Sequence, residues 1–313
     1  MMMSAEYIPR FRVTFLHPRY WLTWCGAGLV CLMAFIPSDL RDPVLGWLGR
    51  LAGRLSHRAR RRAEVNLTLC FPWYSRAQRE QITDDMFSTV PVVTVLMAEL
   101  ALRGATALRD RVHIVGADIV DRLRAENKNV IFLVPHCWGA DIPAMLMAAQ
   151  GIRMAAMFNN QRNPVLDYVW NSARRRFGGR LHARRDGIRP FIRSVREGYM
   201  GYYLPDQDPG PEKGVFADFF ATCKATLPVT GRLSGLTGAE IVPLFSVYDR
   251  KTHRLTVYIR APSVACRQAD AQVAARAINI ITEAFVAPHP EQYVWVLKLL
   301  KTRPPGEADP YDD

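Results

Sequence analysis

Two patterns of apolar and polar positions alternate along most of the chain. The run NVIFLVP at 129–135 is short and continuously apolar, which is typical of a buried strand, and ADIPAMLMAAQ at 140–150 then has helical spacing. Pro143 falls in the first turn of that helix, where proline is tolerated. The same alternation predicts strands at 153–158, 201–205, 239–248 and 253–261, and helices at 164–176, 188–197, 227–236 and 270–286.

Strands that alternate with helices indicate an α/β fold, with a central mixed, mostly parallel sheet flanked by helices on both faces. The sequence contains no internal repeat, low-complexity stretch or Pro/Ser-rich linker, and its composition changes only at about residue 40. We therefore predict three parts. These are an N-terminal membrane anchor at 1–40, one α/β domain at 41–306 and an acidic tail at 307–313, which we expect to be frayed.

The anchor prediction rests on the segment 20–38, YWLTWCGAGLVCLMAFIPS, in which no residue carries a charge. A helix of this segment would be about 29 Å long at roughly 1.5 Å per residue, close to the roughly 30 Å of a bilayer's hydrocarbon core. Trp21 and Trp24, with arginines nearby, resemble an interfacial anchor. A secretory signal and a buried helix packed against the rest of the protein are the two alternatives.

An arginine-rich zone follows the apolar segment and has no acidic residue within it. Such a zone is attracted to anionic lipid by about 1 kcal/mol per charge, and a solvated helix face is the alternative interpretation. The positive-inside rule would then place the residues after about 40 on the cytoplasmic side. The arginines are Arg50, Arg54, Arg58, Arg60, Arg61 and Arg62.

Charge and composition narrow the classes of function. The chain has 41 Lys and Arg against 29 Asp and Glu, a net charge of +12, so we expect an acidic partner: nucleic acid, an anionic membrane, a phosphorylated substrate or an acidic protein. The 49% apolar content excludes a disordered chain. Six cysteines without C-x-x-C or zinc-ligand spacing predict free thiols and no metal site. The sequence lacks G-x-S-x-G, Walker and dinucleotide motifs, which excludes the common hydrolase, nucleotide and NAD classes.

His136 is the strongest candidate for chemistry. It follows the predicted strand at 129–135, and ligands of open α/β sheets bind outside the carboxyl ends of the strands. Asp141 comes five residues later, where its carboxylate would orient the imidazole of a general base. The alternative is a hydrogen-bonded histidine beside an aspartate that starts a helix. We expect Cys137 to be a small apolar filler, because nothing places a base on its thiol.

Two more polar segments lie downstream. The run RRRFGGRLHARRDGIR at 174–189 contains seven arginines and one aspartate. Guanidinium groups bind phosphate and carboxylate bidentately, so the run suits a phosphorylated ligand or an acidic protein, with a solvated face as the alternative. Asp206 and Asp208 follow the strand at 201–205, in a Gly/Pro-rich loop that would line the same cleft or would simply form a turn.

With these residues in view, the chain resembles the late acyltransferases of lipid A biosynthesis, and most closely their myristoyl-transferring branch. The similarity covers nearly the whole chain. Its main segments are PHCWGADIPAMLMAAQG, MAAMFNNQRNPVLDYVWNSARRRFGGRLHARRDGIRPFI, GYYLPDQDPGPEKGVFADFFATCKATLP and PEQYVWVLKLLKTRPPGE. The F-P-E-G-T-R-S block of glycerol-phosphate acyltransferases is absent.

The resemblance implies transfer of a fatty acyl chain, myristoyl above others, from acyl carrier protein to a 3-hydroxyacyl chain of a Kdo-bearing, penta-acylated, phosphorylated lipid A precursor. It implies a glycerolipid-acyltransferase-like fold at the inner membrane, single-pass or monotopic, with its catalytic domain facing the cytoplasm. The acyl carrier donor is the only co-reactant implied. No cofactor, metal or nucleic acid partner is expected.

The resemblance also assigns roles by position. His136 is the general base of the family's H-x-x-x-x-[DE] motif, and Asp141 is its orienting carboxylate. Arg174 and Asp206 fall on positions for oxyanion or substrate binding, Asp206 being the aspartate of the P-D-x-D loop. Phosphate or carrier binding is expected of Arg175, Arg176 and Arg180.

Two other functions remain open from the sequence. One is a glycerophospholipid acyltransferase that uses acyl carrier protein or coenzyme A. The other is a non-enzymatic protein that binds anionic membranes through its arginine runs.

Overall fold

Seven strands form the central sheet of the computed structural model, which describes residues 6–312, in the order β1-β9-β8-β2-β5-β3-β4. The strands β8, β2, β5, β3 and β4 are parallel to one another. Strand β9 is antiparallel to β8, and β1 pairs with β9 in parallel. The predicted mixed, mostly parallel sheet is therefore confirmed. The strands are β1 (Val112–Val115), β2 (Val130–Leu133), β3 (Met154–Phe158), β4 (Arg180–Ala183), β5 (Met200–Tyr203), β8 (Glu240–Asp249) and β9 (Arg254–Ile259), with an antiparallel hairpin of β6 (Val215–Phe219) and β7 (Thr222–Thr226).

Helices cover both faces of the sheet, as predicted. Alternate side chains of β2 point to opposite faces, so Phe132 packs into the larger core cluster while Ile131 packs into the other with residues of α8, α9 and α10. Each fully buried side chain of this size stabilises the fold by about 1.5–3 kcal/mol. The helices are α1 (Trp21–Met33), α2 (Ser38–Leu55), α3 (His57–Cys70), α4 (Arg76–Arg103), α5 (Ala117–Ala125), α6 (Asp141–Ala149), α7 (Pro164–Arg174), α8 (Arg189–Arg196), α9 (Val229–Thr237) and α10 (Ala271–Val286).

Most boundaries agree with the sequence pattern to within about two residues, but several elements were missed. The predicted helix at 164–176 is α7, and the predicted strand at 253–261 contains β9. Strand β4 was not predicted, because arginines dominate its surroundings even though Leu181 and Ala183 are buried. The helices between residues 38 and 103 and the β6–β7 hairpin were also not predicted.

The structure divides the predicted anchor segment 20–38 between a short helix and a turn. Helix α1 contains 13 residues, which at about 1.5 Å per residue reach about 20 Å, less than the roughly 30 Å of the hydrocarbon core. The chain turns after Met33, and Pro37 leads directly into α2. The first five residues of the predicted anchor lie outside the described residues.

Helices α1 and α2 and the turn between them expose many large apolar side chains to solvent. Gly49 and Gly53 let α2 pack closely on α4, since a Cβ at Gly53 would lie 2.4 Å from the ring of Phe87. The opposite side of α2 is exposed, and we call these residues together with those of α1 the apolar face. Its members are Trp21, Leu22, Leu29, Leu32, Phe35, Leu40, Val44, Trp47, Leu48, Leu51 and Leu55.

Within residues 6–312, one helix is long and apolar enough to cross a membrane, and it is α4. Its most apolar window is 56% buried, and it packs against α1, α2, α3, α6 and α7. These contacts are those of a core helix of the domain.

Buried ion pairs fix the turn between α1 and α2 to the rest of the fold. Glu99 of α4 accepts hydrogen bonds from Arg41, from Arg103 (2.9 Å) and from Arg111 (2.9 Å). Arg41 also donates to the carbonyl oxygen of Met33 at the end of α1, at 2.8 Å. Because Arg41 and Glu99 are each 3% exposed, this network connects the apolar face to the sheet through charges that have little access to water.

The arginine zone after the apolar segment is not entirely free for lipid, and the acidic tail is not frayed as expected. Arg50 pairs with Asp85 and Arg54 with Asp84, so these side chains contact α4. The tail is packed rather than frayed: Tyr311 is 8% exposed, and its hydroxyl contacts Asn66 of α3.

Candidate active site

The sheet brings His136 and Asp206 together. Strands β2 and β5 are parallel neighbours in which Leu133 pairs with Tyr203, and each candidate residue comes three positions later. The pairing continues beyond the strands, because the N–H of Val134 donates to the carbonyl oxygen of Tyr203 at 3.0 Å. Equal offsets from paired residues therefore place the two side chains at the same edge of the sheet, where ligands bind in α/β folds.

The carboxylate of Asp206 holds His136 through both the ring and the backbone. Its Oδ1 contacts Nδ1 of the imidazole, and its Oδ2 accepts from the backbone N–H of His136 at 2.7 Å. The hydroxyl of Tyr293 donates to the same Oδ2 at 2.7 Å. The side chain of Asp206 is 2% exposed, whereas that of His136 is 21% exposed. Nδ1 of the ring therefore contacts a buried carboxylate, whereas Nε2 lies on the more exposed side of the ring.

Asp206 is ionised at neutral pH. Burial by itself raises the pKa of this carboxyl group, but the charge of His136 and the hydrogen bonds that it donates outweigh burial and lower the pKa to about 2. An ionised carboxylate only accepts hydrogen bonds, so Nδ1 of His136 carries the proton and Nε2 has a free lone pair when the ring is neutral.

Asp141 does not hold the imidazole, so the predicted pairing with His136 is corrected by the structure. The carboxylate of Asp141 is bound by Arg174 through two hydrogen bonds, at 2.8 and 2.9 Å, and by the indole N–H of Trp170 at 2.9 Å. Trp170 and Arg174 are four residues apart on α7 and so lie on the same face of that helix. Asp141 starts α6 with its side chain toward this face, which joins α6 to α7.

A cavity of about 400 Å³ lies beside the imidazole. His136, Asp141 and Arg174 all line it, so three of the predicted site residues share one cavity. Asp206 is buried beneath His136 with both oxygens engaged, so its geometry is that of an orienting group and not the predicted substrate-binding one. Apolar side chains of α6 and β3 form much of the wall, including Ala144, Met145, Ala148, Ala156 and Met157. The site thus combines an imidazole held by a carboxylate with an apolar chamber.

The arginine run is divided among several environments. Arg175 pairs with Glu6 at 2.6 Å and donates to the carbonyl oxygen of Tyr7, and Arg176 donates to the carbonyl oxygen of Ala101. Neither of them lines the cavity. Arg180 does line the cavity, and its guanidinium donates a hydrogen bond to the carboxylate of Glu197. Arg184 lies at the same cavity and donates to Oε1 of Gln207 at 2.9 Å.

Three residues near His136 and Asp206 were not predicted from the sequence: Gln207, Tyr293 and Lys224. Gln207 lies inside the P-D-x-D loop, at the position that the motif leaves unspecified. Tyr293 reaches Asp206 from the far end of the chain, with no local signal. Lys224 of β7 is fully buried, and its Nζ has no hydrogen-bond partner among the residues that the structure describes. Burial lowers the pKa of Lys224, while its charge favours the ionised form of Asp206.

Cys137 is a buried filler, as predicted. It is 5% exposed, and burial raises the pKa of its thiol to about 12, so the nucleophilic thiolate is not populated at neutral pH. All six cysteines are free, which confirms the prediction of free thiols. Between residues 6 and 312 there is no group of three or more His, Cys, Asp or Glu side chains with metal-site geometry.

The arrangement is suited to proton abstraction beside an apolar ligand. A neutral imidazole with Nδ1–H on an ionised carboxylate accepts a proton at Nε2, and the carboxylate then stabilises the imidazolium. Three of the five N–H groups of Arg174 contact Asp141 and Asn171. Arg174 also lines the cavity. Its positive charge would stabilise an oxyanion that forms there.

Comparison with known proteins shows the family of the chain. The family model of the bacterial lipid A biosynthesis acyltransferases matches residues 8–302. The chain is 58% identical to the lipid A biosynthesis myristoyltransferase of Escherichia coli (strain K12), over 98% of this chain and 95% of that protein. It is 43% identical to a lipid A biosynthesis acyltransferase of Haemophilus influenzae, with the same coverage, and 28% identical to the lauroyltransferase of E. coli, over 97% and 99%. This chain therefore belongs to the bacterial lipid A biosynthesis acyltransferases.

Proposed function

We propose that this enzyme transfers a myristoyl chain from acyl carrier protein to the hydroxyl of a 3-hydroxyacyl chain on a Kdo-bearing, penta-acylated lipid A precursor, which gives the hexa-acylated product. The observation that carries the proposal is the imidazole of His136, held by Asp206 at Nδ1, beside an apolar cavity of about 400 Å³. A lipid alcohol needs such a base, because its hydroxyl is a poor nucleophile at neutral pH.

The reaction is a direct transfer with one base. Nε2 of His136 takes the proton of the acceptor hydroxyl while the oxygen attacks the thioester carbonyl carbon. The tetrahedral intermediate then collapses as the C–S bond breaks, and the carrier's thiolate takes the proton from the imidazolium. No acyl-enzyme forms. General-base catalysis of this kind contributes about 10²- to 10⁴-fold to the rate.

Arg174 and Asp206 have different parts in this proposal. Asp206 keeps the proton on Nδ1 and stabilises the imidazolium, which is the role that the sequence assigned to Asp141. Asp141 fixes the guanidinium of Arg174, and the fixed positive charge stabilises the oxyanion of the tetrahedral intermediate. A preorganised charge is more effective than a mobile one, because it needs no reorganisation as the reaction proceeds.

The choice of a myristoyl donor is supported by the graded similarity to named relatives. Identity is 58% with the myristoyltransferase of E. coli but 30% with its palmitoleoyltransferase and 28% with its lauroyltransferase. An acidic carrier protein suits the exposed arginines that continue from the cavity along the surface. They are Arg184, Arg185 and Arg189.

We place the enzyme at the cytoplasmic side of the inner membrane as a monotopic protein. The apolar face of α1 and α2 would insert among the lipids, and the exposed arginines Arg58 and Arg62 of α3 would lie near anionic headgroups. This position keeps the active site close to the interface where the acceptor's acyl chains reside.

Mass spectrometry of a reconstituted reaction tests the proposal. Purified enzyme is incubated with penta-acylated acceptor and C12, C14 or C16 acyl carrier protein, with the His136→Ala variant as a control. We expect a product heavier by one myristoyl group, no product with His136→Ala, and lipid A one chain short in a deletion strain. Acylation of a glycerophospholipid instead, or vesicle binding without thioester consumption, would establish one of the two other functions. Full activity of His136→Ala would exclude His136 as the base.

A further inference from the structure

Gln207 lies beside His136, between two aspartates of the same loop that both form hydrogen bonds to the rest of the fold. Asp206 binds His136 and Tyr293, as described above. Asp208 accepts from the backbone N–H of Thr302 at 2.6 Å and from its hydroxyl at 2.8 Å. The backbone is therefore anchored on both sides of Gln207.

The side chain of Gln207 bridges Arg184 and the free nitrogen of His136. Its Nε2 lies 3.3 Å from Nε2 of the imidazole, and its Oε1 lies 2.9 Å from Nη1 of Arg184. A guanidinium only donates hydrogen bonds, so the amide oxygen must face Arg184. The amide NH₂ group therefore faces the imidazole, and this orientation follows from the partner's chemistry.

Both neighbours of the imidazole consequently demand the same protonation state. The carboxylate of Asp206 requires a proton on Nδ1, and the NH₂ group of Gln207 requires a lone pair on Nε2. An imidazolium would direct its Nε2–H against the amide hydrogens. Rotation of the amide by 180° does not relieve this conflict, since it would direct the NH₂ group at Arg184.

We propose that Gln207, oriented by Arg184, is a positioning residue that holds His136 in its base-ready tautomer until the acceptor hydroxyl displaces the amide. This inference deepens the proposed function and rests on it for the displacement step. The hydroxyl proton passes to Nε2 as the C–O bond forms, and then to the sulfur as the C–S bond breaks. Gln207 also borders a second cavity of about 470 Å³ beside Lys298 and Lys301, which provides space for the displaced side chain.

Several other groups surround the imidazole and act in every variant alike. Their contributions cancel when variants that differ only at Gln207 are compared with wild type. They are Asp206 and Tyr293 beside the ring, Cys137, Asp141, Arg174 and Arg180 at the cavity, and Lys224, whose charge acts on Asp206. Arg184 is the exception, because it binds the side chain at position 207 and this contact changes with the substitution.

The test is the pH dependence of His136 modification by diethylpyrocarbonate, which reacts with unprotonated imidazole and is read by peptide mass spectrometry. Full-length enzyme carrying Gln207→Glu is compared with wild type and with Gln150→Glu, which adds the same charge at an exposed position at the end of α6. We expect the midpoint for Gln207→Glu to rise by about one pH unit or more, because a carboxylate stabilises the imidazolium. The midpoint of Gln150→Glu should equal that of wild type.

Two further variants isolate the orienting role. Gln207→Leu removes the donor without adding charge, and we expect a smaller upward shift. Arg184→Gln, matched by Arg122→Gln on α5, should also raise the midpoint, while thermal unfolding verifies that each variant folds. An unchanged midpoint in Gln207→Glu and Gln207→Leu would overturn the inference.

Kinetics separate this inference from the proposed function. In Gln207→Glu, the acidic limb of the pH–rate profile should move to higher pH together with the modification midpoint. We expect the fold change in kcat to be larger than the fold change in KM. A midpoint that rises while the rate profile stays in place would support the role of Gln207 and reject His136 as the base of the proposed reaction.

Discussion

Nδ1 of His136 contacts the carboxylate of Asp206, which lies 70 residues away in the chain, and not that of Asp141, which lies five residues away. The contact joins the ends of two paired parallel strands. Asp141 is instead the partner of Arg174. The site therefore contains two separate pairs, each formed by an aspartate and a basic side chain. One pair sets the state of the imidazole, and the other fixes a positive charge at the cavity wall.

The two pairs predict different effects of aspartate-to-asparagine changes. Asp206→Asn removes the carboxylate that selects the tautomer, and loss of such a group reduces kcat by about 10⁴-fold in a comparable triad. Asp141→Asn leaves the imidazole held and loosens Arg174, so we expect a smaller loss, of about 10- to 100-fold. Steady-state kinetics of the two variants measure the difference, and a larger loss from Asp141→Asn would restore the pairing that the sequence predicted.

The buried thiol of Cys137 predicts a tolerant substitution. A protonated, buried cysteine forms no acyl intermediate, so Cys137→Ala should keep activity within about threefold of wild type. Iodoacetamide should leave the wild-type rate unchanged, and Cys266→Ala, at another buried cysteine, controls for the lost volume. A stable thioester adduct on Cys137 in the mass spectrum would contradict direct transfer.

The lowered pKa of Asp206 predicts a specific dependence of stability on pH. Its ordinary pKa of 3.8 falls to about 2 in the fold, so its contribution is fully present above about pH 4 and is lost as the pH falls toward 2. A shift of one pKa unit corresponds to about 1.36 kcal/mol, so Asp206 contributes about 2 kcal/mol to the free energy of unfolding. Thermal unfolding of wild type and Asp206→Asn should therefore differ at pH 5 to 7 and converge below pH 4. A difference that stays constant down to pH 2 would exclude this linkage.

The ion-pair network behind the apolar face predicts a large cost for Glu99→Gln. The change removes the carboxylate that Arg41 shares with Arg103 and Arg111, and it leaves Asp42 as the remaining carboxylate on Arg41. Removing one partner of a buried pair costs about 3–5 kcal/mol. Glu80→Gln, on the same helix but paired at the surface with Arg76, should cost no more than about 1 kcal/mol. Denaturant unfolding compares the two, and equal effects would show that burial does not set the strength of this network.

The apolar face predicts membrane binding that depends on α2. Each buried apolar side chain contributes about 1.5–3 kcal/mol, so Trp47→Glu with Leu51→Glu should weaken binding to anionic vesicles by about a hundredfold or more. Leu236→Glu adds a charge at an exposed leucine of α9 and should leave binding unchanged. Flotation assays measure the partition. Equal binding by all variants would place the membrane contact elsewhere on the protein.

Much of the fold was readable from local pattern. The apolar run before His136 and the helical spacing after it correctly predicted β2 and α6, and the alternation beyond them predicted a mostly parallel sheet. The resemblance to the family extended this to nearly the whole chain. The end of α1 at Met33 could not be predicted in the apolar segment 20–38, because hydropathy records the absence of charge but not the turn that ends a helix.

The presence of a histidine at the carboxyl end of a buried strand follows from the amino-acid sequence, because the apolar run and the residue after it are local properties. The identity of the carboxylate that holds this histidine depends on the three-dimensional fold. Strand order and register are set by packing between distant segments, so the proximity of Asp206, Gln207 and Tyr293 to His136 has no counterpart in residue spacing.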